Sequence, residues 1–196
     1  MGAATVIGVI SDTHGKLDER VLGLFTGVSR IIHAGDIGDE EIIWRLEAIA
    51  PVIAVRGNND PDTSCFPNER LAIIDGRTFF VRHQFATVEK LTKAHRQLIE
   101  QRIPDVVVFG HSHQPYIGNW RGTLLFNPGS AGPKRFKLAR SVGLIELDSV
   151  ETRPRIICLD EDDHVAPLKE FDGFPKPQPT ITGFALSLPI SQHPSG

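Results

Sequence analysis

The first third of the 196-residue chain alternates short apolar segments with amphipathic ones, and no other feature constrains the fold as strongly. The apolar segments at residues 4–10, 30–35 and 51–57 have the length of buried strands. Between them, apolar side chains recur at helical spacing from Leu17 to Val28 and from Ile42 to Ile49. A βαβαβ order implies a largely parallel sheet with helices packed on it. The sequence therefore predicts an α/β fold.

The remaining segments extend this sheet-and-helix pattern. Two apolar segments flank Gly76 and predict a hairpin, and an amphipathic helix is predicted from Thr87 to Arg102. The continuous apolar run at 104–110 indicates a strand buried on both faces, and short β segments follow to Asp160. Residues 161–196 hold six prolines and have no periodicity. We therefore expect one domain over 1–160 and an irregular Pro-rich C-terminal tail over 161–196, in which residues 184–188 could add a strand.

Charge and cysteine content narrow the functional classes. The net charge of −3 does not indicate a nucleic-acid-binding surface. Cys65 and Cys158 are far apart, which argues against a disulfide framework or a thiolate zinc site. The N-terminal apolar run is too short for a signal peptide or a membrane span. We expect a cytoplasmic protein that is not associated with a membrane; its oligomeric state, including a homo-oligomer, stays open.

Side chains of metal-ligand type follow the predicted strands. Ligands in open α/β sheets collect at the carboxyl ends of the strands, because the loops there leave from one edge. Each residue alone has a plainer interpretation as a helix cap, a turn residue or a structural histidine. Together they favour a site, and two histidines two positions apart in an extended chain face the same way. The seven candidates are Asp12, His14, Asp36, Asn58, His83, His111 and His113.

The mixture of ligand atoms points to particular metals. Imidazole, carboxylate and amide oxygen without sulfur suit Mn²⁺, Fe²⁺, Zn²⁺ or Ni²⁺. Seven ligands are too many for one tetrahedral ion. They suit two ions that lie about 3.5–4 Å apart and share a bridging carboxylate. Such a pair activates water and stabilises both the attacking and leaving oxygens of an in-line displacement.

An ordered set of motifs resembles the calcineurin-like metallophosphoesterase superfamily. The motifs are SDTHG, HAGD, VRGNND, a histidine at position 83, FGHSH and NPGSAG. The resemblance is strongest to small prokaryotic phosphodiesterases of the YfcE type and covers residues 5–160. It implies a four-layer α/β/β/α sandwich, in which two mixed sheets are flanked by helices.

The resemblance also implies roles for the candidate residues. The first metal would be bound by Asp12, His14 and His113, the second by Asn58, His83 and His111, with Asp36 bridging the two. The expected enzyme is a hydrolase of small-molecule phosphoesters with two divalent ions, Mn²⁺ first and Fe²⁺, Zn²⁺ or Ni²⁺ as alternatives. Its nucleophile would be a metal-bridging hydroxide, so no catalytic side chain forms a covalent intermediate.

Some positions depart from the superfamily pattern or lie near the expected substrate. Asn59 stands where many larger members have a histidine that assists the leaving group. Asparagine can donate a hydrogen bond to a phosphoryl oxygen but cannot supply a proton, which favours diesters or good leaving groups. Gln84 and Phe85 replace a glycine and a histidine and are expected to reshape the substrate side of the pocket. In the loop after Asn127, which is expected to order His113, Lys134 or Arg135 could contact a substrate phosphate.

Other functional classes share parts of this pattern. A metallo-β-lactamase-type site continues with Asp-His after His-x-His, whereas Gln114 and Pro115 follow here. An amidohydrolase would carry His-x-His on its first strand and need a longer chain. A non-catalytic protein-interaction scaffold, similar to the retromer subunit of this fold, remains as the alternative. The retention of all candidate ligands favours an enzyme.

Overall fold

The computed structural model describes residues 4–134, 138–160, 167–170 and 174–175. A short 3₁₀ helix spans Val88–Lys90. The longest described helix has 10 residues, so no helix in this part of the chain is long enough to cross a membrane. The strands and helices, in chain order, are β1 (Thr5–Ile10), α1 (Glu19–Leu24), β2 (Arg30–His33), α2 (Glu41–Glu47), β3 (Val52–Ala54), β4 (Glu69–Ile74), β5 (Arg77–Arg82), α3 (Lys93–Arg102), β6 (Val106–Val108), β7 (Tyr116–Trp120), β8 (Thr123–Asn127), β9 (Ser141–Leu147), β10 (Glu151–Cys158), β11 (Pro167–Glu170) and β12 (Phe174–Pro175).

The strands form two mixed sheets, which confirms the expected fold class. The first sheet has the order β11-β10-β9-β1-β2-β3, with β12 also paired to β10, and β1, β2 and β3 are parallel. The second has the order β4-β5-β6-β8-β7, with β5, β6 and β8 parallel. The predicted βαβαβ unit and the predicted hairpin of β4 and β5 are both present.

Three apolar clusters lie between the layers and pack them together. The cluster between the sheets includes Val9 and Phe126, both fully buried. The second, which includes Phe25 and Leu46, packs α1 and α2 against the first sheet. The third packs α3, through Ile99, against the second sheet. The layer order is therefore helices, sheet, sheet, helix. A buried side chain of this size stabilises the fold by about 1.5–3 kcal/mol.

The helix predicted from Thr87 to Arg102 is wrong in its first half. The 3₁₀ turn ends at Lys90, and α3 begins only after Thr92. The Thr92 hydroxyl accepts a hydrogen bond from the His95 backbone, and the His95 ring accepts one from the Thr92 backbone. This reciprocal capping starts a new helix and outweighs the continuous apolar pattern.

The first sheet continues beyond the predicted domain boundary at residue 160. Strand β11 pairs antiparallel with β10, and so does the two-residue strand β12. The segment predicted to be irregular thus contributes two short strands to the described structure. The apolar stretch at 184–188 lies outside the described residues, and the boundary itself stays a prediction.

Candidate metal centre

The candidate ligands lie in the loops that follow β1, β2, β3, β5 and β6, at the carboxyl ends of parallel strands in both sheets. Hydrogen bonds join these loops within each sheet. The Asp12 amide donates to the Gly35 carbonyl at 3.0 Å, and the Gly110 amide donates to the His83 carbonyl at 3.0 Å. The His111 amide donates to Asp12 Oδ2 at 3.2 Å and so joins the two sheets. The stacked sheets therefore bring the loops of both edges to one place.

Four of the candidates form a compact group, which we name the first ligand group: Asp12, His14, Asp36 and His113. One ligand atom from each lies within 4.8 Å of the others. His113 Nε2 is 3.2 Å from Asp12 Oδ1 and 3.2 Å from His14 Nε2. His14 Nε2 is 3.8 Å from Asp36 Oδ2. Four donor atoms this close together can share one cation.

We name the remaining candidates the second ligand group: Asn58, His83 and His111. His83 Nε2 is 3.4 Å from Asp36 Oδ2. The His83 and His111 rings meet edge to face with centroids 5.4 Å apart. Asn58 is exposed, and its Oδ1 accepts a hydrogen bond from Gln84 at 3.3 Å. Asp36 therefore contacts both groups.

The His-x-His segment is not extended, so the sequence-based argument that both rings face the same way is wrong. His111 and His113 have φ angles of 68° and 56°, in the left-handed region. The backbone has already left strand β6 at Val108, and the turn sends the two side chains apart. The His113 ring reaches His14 at 5.2 Å between centroids, whereas the His111 ring reaches His83.

Five of the seven candidate ligands have left-handed backbone. Asp12, His14 and Asp36 have φ angles of 55°, 47° and 54°, like the two histidines after β6. This conformation costs a residue other than glycine about 1–2 kcal/mol. It persists only where surrounding structure enforces it, and such residues cluster at functional sites.

Two glycines allow the loops to approach the carboxylates. A Cβ atom at Gly57 would overlap Oδ1 and the backbone nitrogen of Asp36. A Cβ atom at Gly110 would overlap the Ser11 hydroxyl and lie 2.6 Å from Asp12 Oδ2. Both positions therefore require glycine for lack of space.

Neighbouring groups orient the ligands. His83 Nδ1 lies 2.8 Å from the Ala34 carbonyl, to which it donates, so Nε2 faces Asp36. The Asn127 amide donates to the Gly110 carbonyl at 2.8 Å and to the Ser112 hydroxyl at 3.2 Å. Asn127 therefore holds the loop that carries His113, and its described contacts do not include the histidine itself.

Asp60 is a residue that sequence reasoning missed. Its side chain is buried and accepts hydrogen bonds from three backbone amides, those of Ile37 at 3.1 Å, Gly38 at 2.9 Å and Gly57 at 2.8 Å. It thus ties the loop after β2 to the loop after β3. The available signal was an aspartate that closes the turn after Asn58, a position where its carboxylate can bind backbone amides.

The buried charges of the site fit a cation. Asp12 and Asp36 are 0% and 1% exposed. Within the described residues, Asp12 Oδ1 and His83 Nε2 are buried without a hydrogen-bond partner. A buried polar atom left in this state costs about 1–3 kcal/mol, which a coordinated metal ion would offset. Burial raises the pKa of the Asp36 carboxyl, but the neighbouring His83 ring and the hydrogen bonds from Asn59 outweigh this effect and hold the pKa far below its usual range.

The predicted substrate-side residues have different surroundings. The backbone and side-chain amides of Asn59 donate to Asp36 Oδ1 at 2.8 Å and Oδ2 at 2.6 Å. Gln84 is exposed beside Asn58, and Phe85 packs against Phe80 in the third apolar cluster. Their expected effect on the substrate side of the pocket stays a prediction. Lys134 pairs with Asp160, which follows the end of β10, at 3.2 Å. Arg135 lies outside the described residues.

Comparisons with known proteins identify a family and a fold. Residues 6–150 match the calcineurin-like phosphoesterase superfamily domain. A probable metallophosphoesterase of Methanocaldococcus jannaschii, MJ0623, is 33% identical over 159 residues, which are 78% of this chain and 82% of that protein. The phosphodiesterase YfcE of Escherichia coli is 27% identical over 183 residues, 80% of this chain and 93% of that protein. The crystal structure of Entamoeba histolytica Vps29 complexed with Zn²⁺ has a TM-score of 0.72 at 20% identity and covers 87% of this chain and 99% of that one.

Proposed function

The chain belongs to the calcineurin-like phosphoesterase superfamily, and from this premise we propose that it is a phosphodiesterase with a dinuclear metal centre. The superfamily is metal-dependent and hydrolyses phosphoesters, and the likeness to YfcE favours the diester class. One observation carries the proposal. Asp36 is buried between two groups of metal-ligand side chains, 3.8 Å from His14 and 3.4 Å from His83.

The two ligand groups suit two divalent ions that share the Asp36 carboxylate. Asp12, His14 and His113 would hold one ion, and Asn58, His83 and His111 the other. Their oxygen and nitrogen donors fit Mn²⁺ first, with Fe²⁺, Zn²⁺ or Ni²⁺ as alternatives. When bound, the ions supply a hydroxide nucleophile at neutral pH for in-line attack on phosphorus and neutralise the phosphoryl oxygens.

The protein's own groups position these ligands before substrate arrives. The Ala34 carbonyl fixes the His83 ring, and Asp60 fixes the backbone that follows Asp36 and ties it to Gly57. Preorganised groups of this kind do not have to reorganise during the reaction. Within the described residues, Asn59 is the polar side chain that would contact a phosphoryl oxygen next to Asp36. It lacks a transferable proton, which supports the diester preference.

The experiment measures metal content and turnover together. Protein purified without chelator is analysed for bound metal and then assayed with bis(p-nitrophenyl) phosphate and Mn²⁺. We expect close to two ions per chain and measurable hydrolysis. Asp36→Asn keeps the shape of the side chain but removes its charge, so we expect metal loss and a decrease in kcat/KM of several orders of magnitude with an unchanged fold.

The control is Asp39→Asn. Asp39 is exposed, and its side chain accepts a hydrogen bond from the Glu41 backbone amide. It should retain metal and activity. Full turnover in Asp36→Asn would overturn the dinuclear assignment. Two bound ions with no hydrolysis of any phosphodiester or monoester would instead support the protein-interaction scaffold.

A further inference from the structure

A cleft of about 570 Å³ opens next to the second ligand group. Asn58 and His83 form part of its wall, so a molecule that fills the cleft lies against two candidate metal ligands. Its volume falls in the range of small-molecule sites, about 300–1,000 Å³, and is enough for a nucleoside. The lining residues are Arg56, Gly57, Asn58, Asp60, Asp62, Asn68, Glu69, Arg82, His83 and Gln84.

Two arginines in the cleft wall are held in place by side chains around them. Arg56 donates from Nε to Asn68 Oδ1 at 2.6 Å and from Nη1 to Asp62. Arg82 donates from Nη1 to Glu69 Oε2 at 3.2 Å. Among residues 4–134 and 138–160, Nη2 of each arginine has no hydrogen bond. Each guanidinium is therefore fixed but keeps donors and a flat face for a ligand.

The carboxylates in the wall are already engaged. Asp60 accepts three backbone amide bonds, and Asp62 and Glu69 pair with the arginines. The cleft therefore does not present an unpaired negative charge from these residues. Asn68 and Gln84 add amide groups, which both donate and accept hydrogen bonds. An alkyl or phenyl group would leave these polar atoms unpaired, whereas a nucleoside offers complementary polar edges and a ring that stacks on a guanidinium plane.

We propose that this cleft binds the nucleoside portion of a nucleotide phosphodiester, with Arg56 as the specificity-determining residue. The inference rests on the proposed function, because the phosphate of the same molecule would lie at the metal centre. The nucleoside then adds binding energy that a simple aryl ester does not have.

The test compares adenosine 5′-monophosphate with phenyl phosphate on the Mn²⁺-loaded protein. Both carry the same phosphate, so the difference between their dissociation constants reports the cleft. We expect the nucleotide to bind at least about tenfold more tightly by calorimetry and to inhibit bis(p-nitrophenyl) phosphate hydrolysis with the same preference. Arg56→Gln should reduce the preference to about twofold or less while phenyl phosphate binding stays unchanged.

Two further variants test whether the binding preference arises in the cleft or elsewhere on the protein. Asn68→Ala removes a group that holds Arg56 but has no described contact with a candidate metal ligand, and it should weaken nucleotide binding severalfold with metal content retained. Arg30→Gln is the matched control, because Arg30 is an exposed arginine at the amino end of β2, opposite the site. It should preserve the preference.

Equal binding of the two ligands to wild-type protein would overturn the inference, and so would an undiminished preference in both Arg56→Gln and Asn68→Ala. Either result with normal diester hydrolysis leaves the proposed function intact. Absence of hydrolysis with metal bound contradicts the proposed function, but the calorimetric comparison still decides what the cleft binds.

Discussion

At the scale of single residues, His33 shows how one buried group shapes the site loops. Its Nδ1 accepts a hydrogen bond from the Gly35 amide at 3.3 Å, so the ring proton is on Nε2, which lies 2.9 Å from the Thr13 hydroxyl. That hydroxyl donates in turn to the Ile37 carbonyl at 2.9 Å. The ring is fully buried, and burial lowers the pKa of His33 from 6.5 to about 4. These contacts give His33 a structural role in the loops after β1 and β2.

This lowered pKa predicts a pH dependence of stability. Between pH 6.5 and about 4 the unfolded state binds a proton at His33 that the folded state does not, so the free energy of unfolding falls as the pH falls through this window. The difference between the two pKa values corresponds to at most about 3 kcal/mol. Urea unfolding at pH 7 and pH 4.5 should show a smaller loss of stability in His33→Gln than in wild type. Parallel losses in the two proteins would contradict this account.

Asn59 carries a second residue-scale prediction. Its backbone amide already contacts Asp36, so a new side chain at this position remains next to that carboxylate. Asn59→His would introduce a group that can protonate a leaving oxygen. We expect the ratio of kcat/KM for phenyl phosphate to that for bis(p-nitrophenyl) phosphate to rise about tenfold or more. Asn59→Gln is the control, because glutamine cannot donate a proton to the leaving group. An unchanged ratio in the histidine variant would mean that the leaving group lies elsewhere.

At the scale of elements, apolar periodicity predicts the strands but not the conformations of the loops between them. Apolar patterns predicted the strands, because a strand buried on one face has apolar residues at alternating positions and a strand buried on both faces has them in succession. The break before α3 depends on a single capping threonine, and the turn at His111 depends on backbone angles that histidine rarely adopts. Asp60 acts through backbone amides from two loops, which only the folded chain brings together. The ligand positions could therefore be predicted from strand ends, but their orientations could not.

The close approach at Gly57 predicts a steric effect. Gly57→Ala places a methyl group on the Asp36 carboxylate, so we expect loss of bound metal and of activity with the fold retained. Gly23→Ala is the matched control, since a Cβ at this helical position meets nothing within 4 Å. It should raise the free energy of unfolding by about 0.5–1 kcal/mol without a change in metal content. A Gly57→Ala protein with normal metal content would contradict the proposed packing.

At the scale of the whole molecule, neither sheet contains the site by itself. The first sheet supplies the loops of Asp12, His14, Asp36 and Asn58, and the second supplies those of His83, His111 and His113. The three apolar clusters hold the layers together independently of these loops. We therefore expect the fold to form the site before any metal ion binds.

Removal of metal tests this expectation. Excess chelator should lower the melting temperature, and Mn²⁺ should restore it in a concentration-dependent way. At one hundred times the dissociation constant, each bound ion should raise the free energy of unfolding by about 2.7 kcal/mol. The far-ultraviolet circular dichroism spectrum should stay the same, because the strands do not depend on the ions. Asp36→Asn should show no such Mn²⁺ response. A large spectral change on chelation would mean that the site and the fold form together.

The left-handed backbone at Asp12, His14, Asp36, His111 and His113 has an evolutionary consequence. Glycine adopts these angles without the steric cost that the present side chains have. Replacement of His14 by glycine, for example, would relieve this local backbone strain while it removes a candidate ligand. A laboratory selection for heat resistance alone would therefore not favour these five side chains, whereas a selection for metal-dependent activity would favour them despite their steric cost.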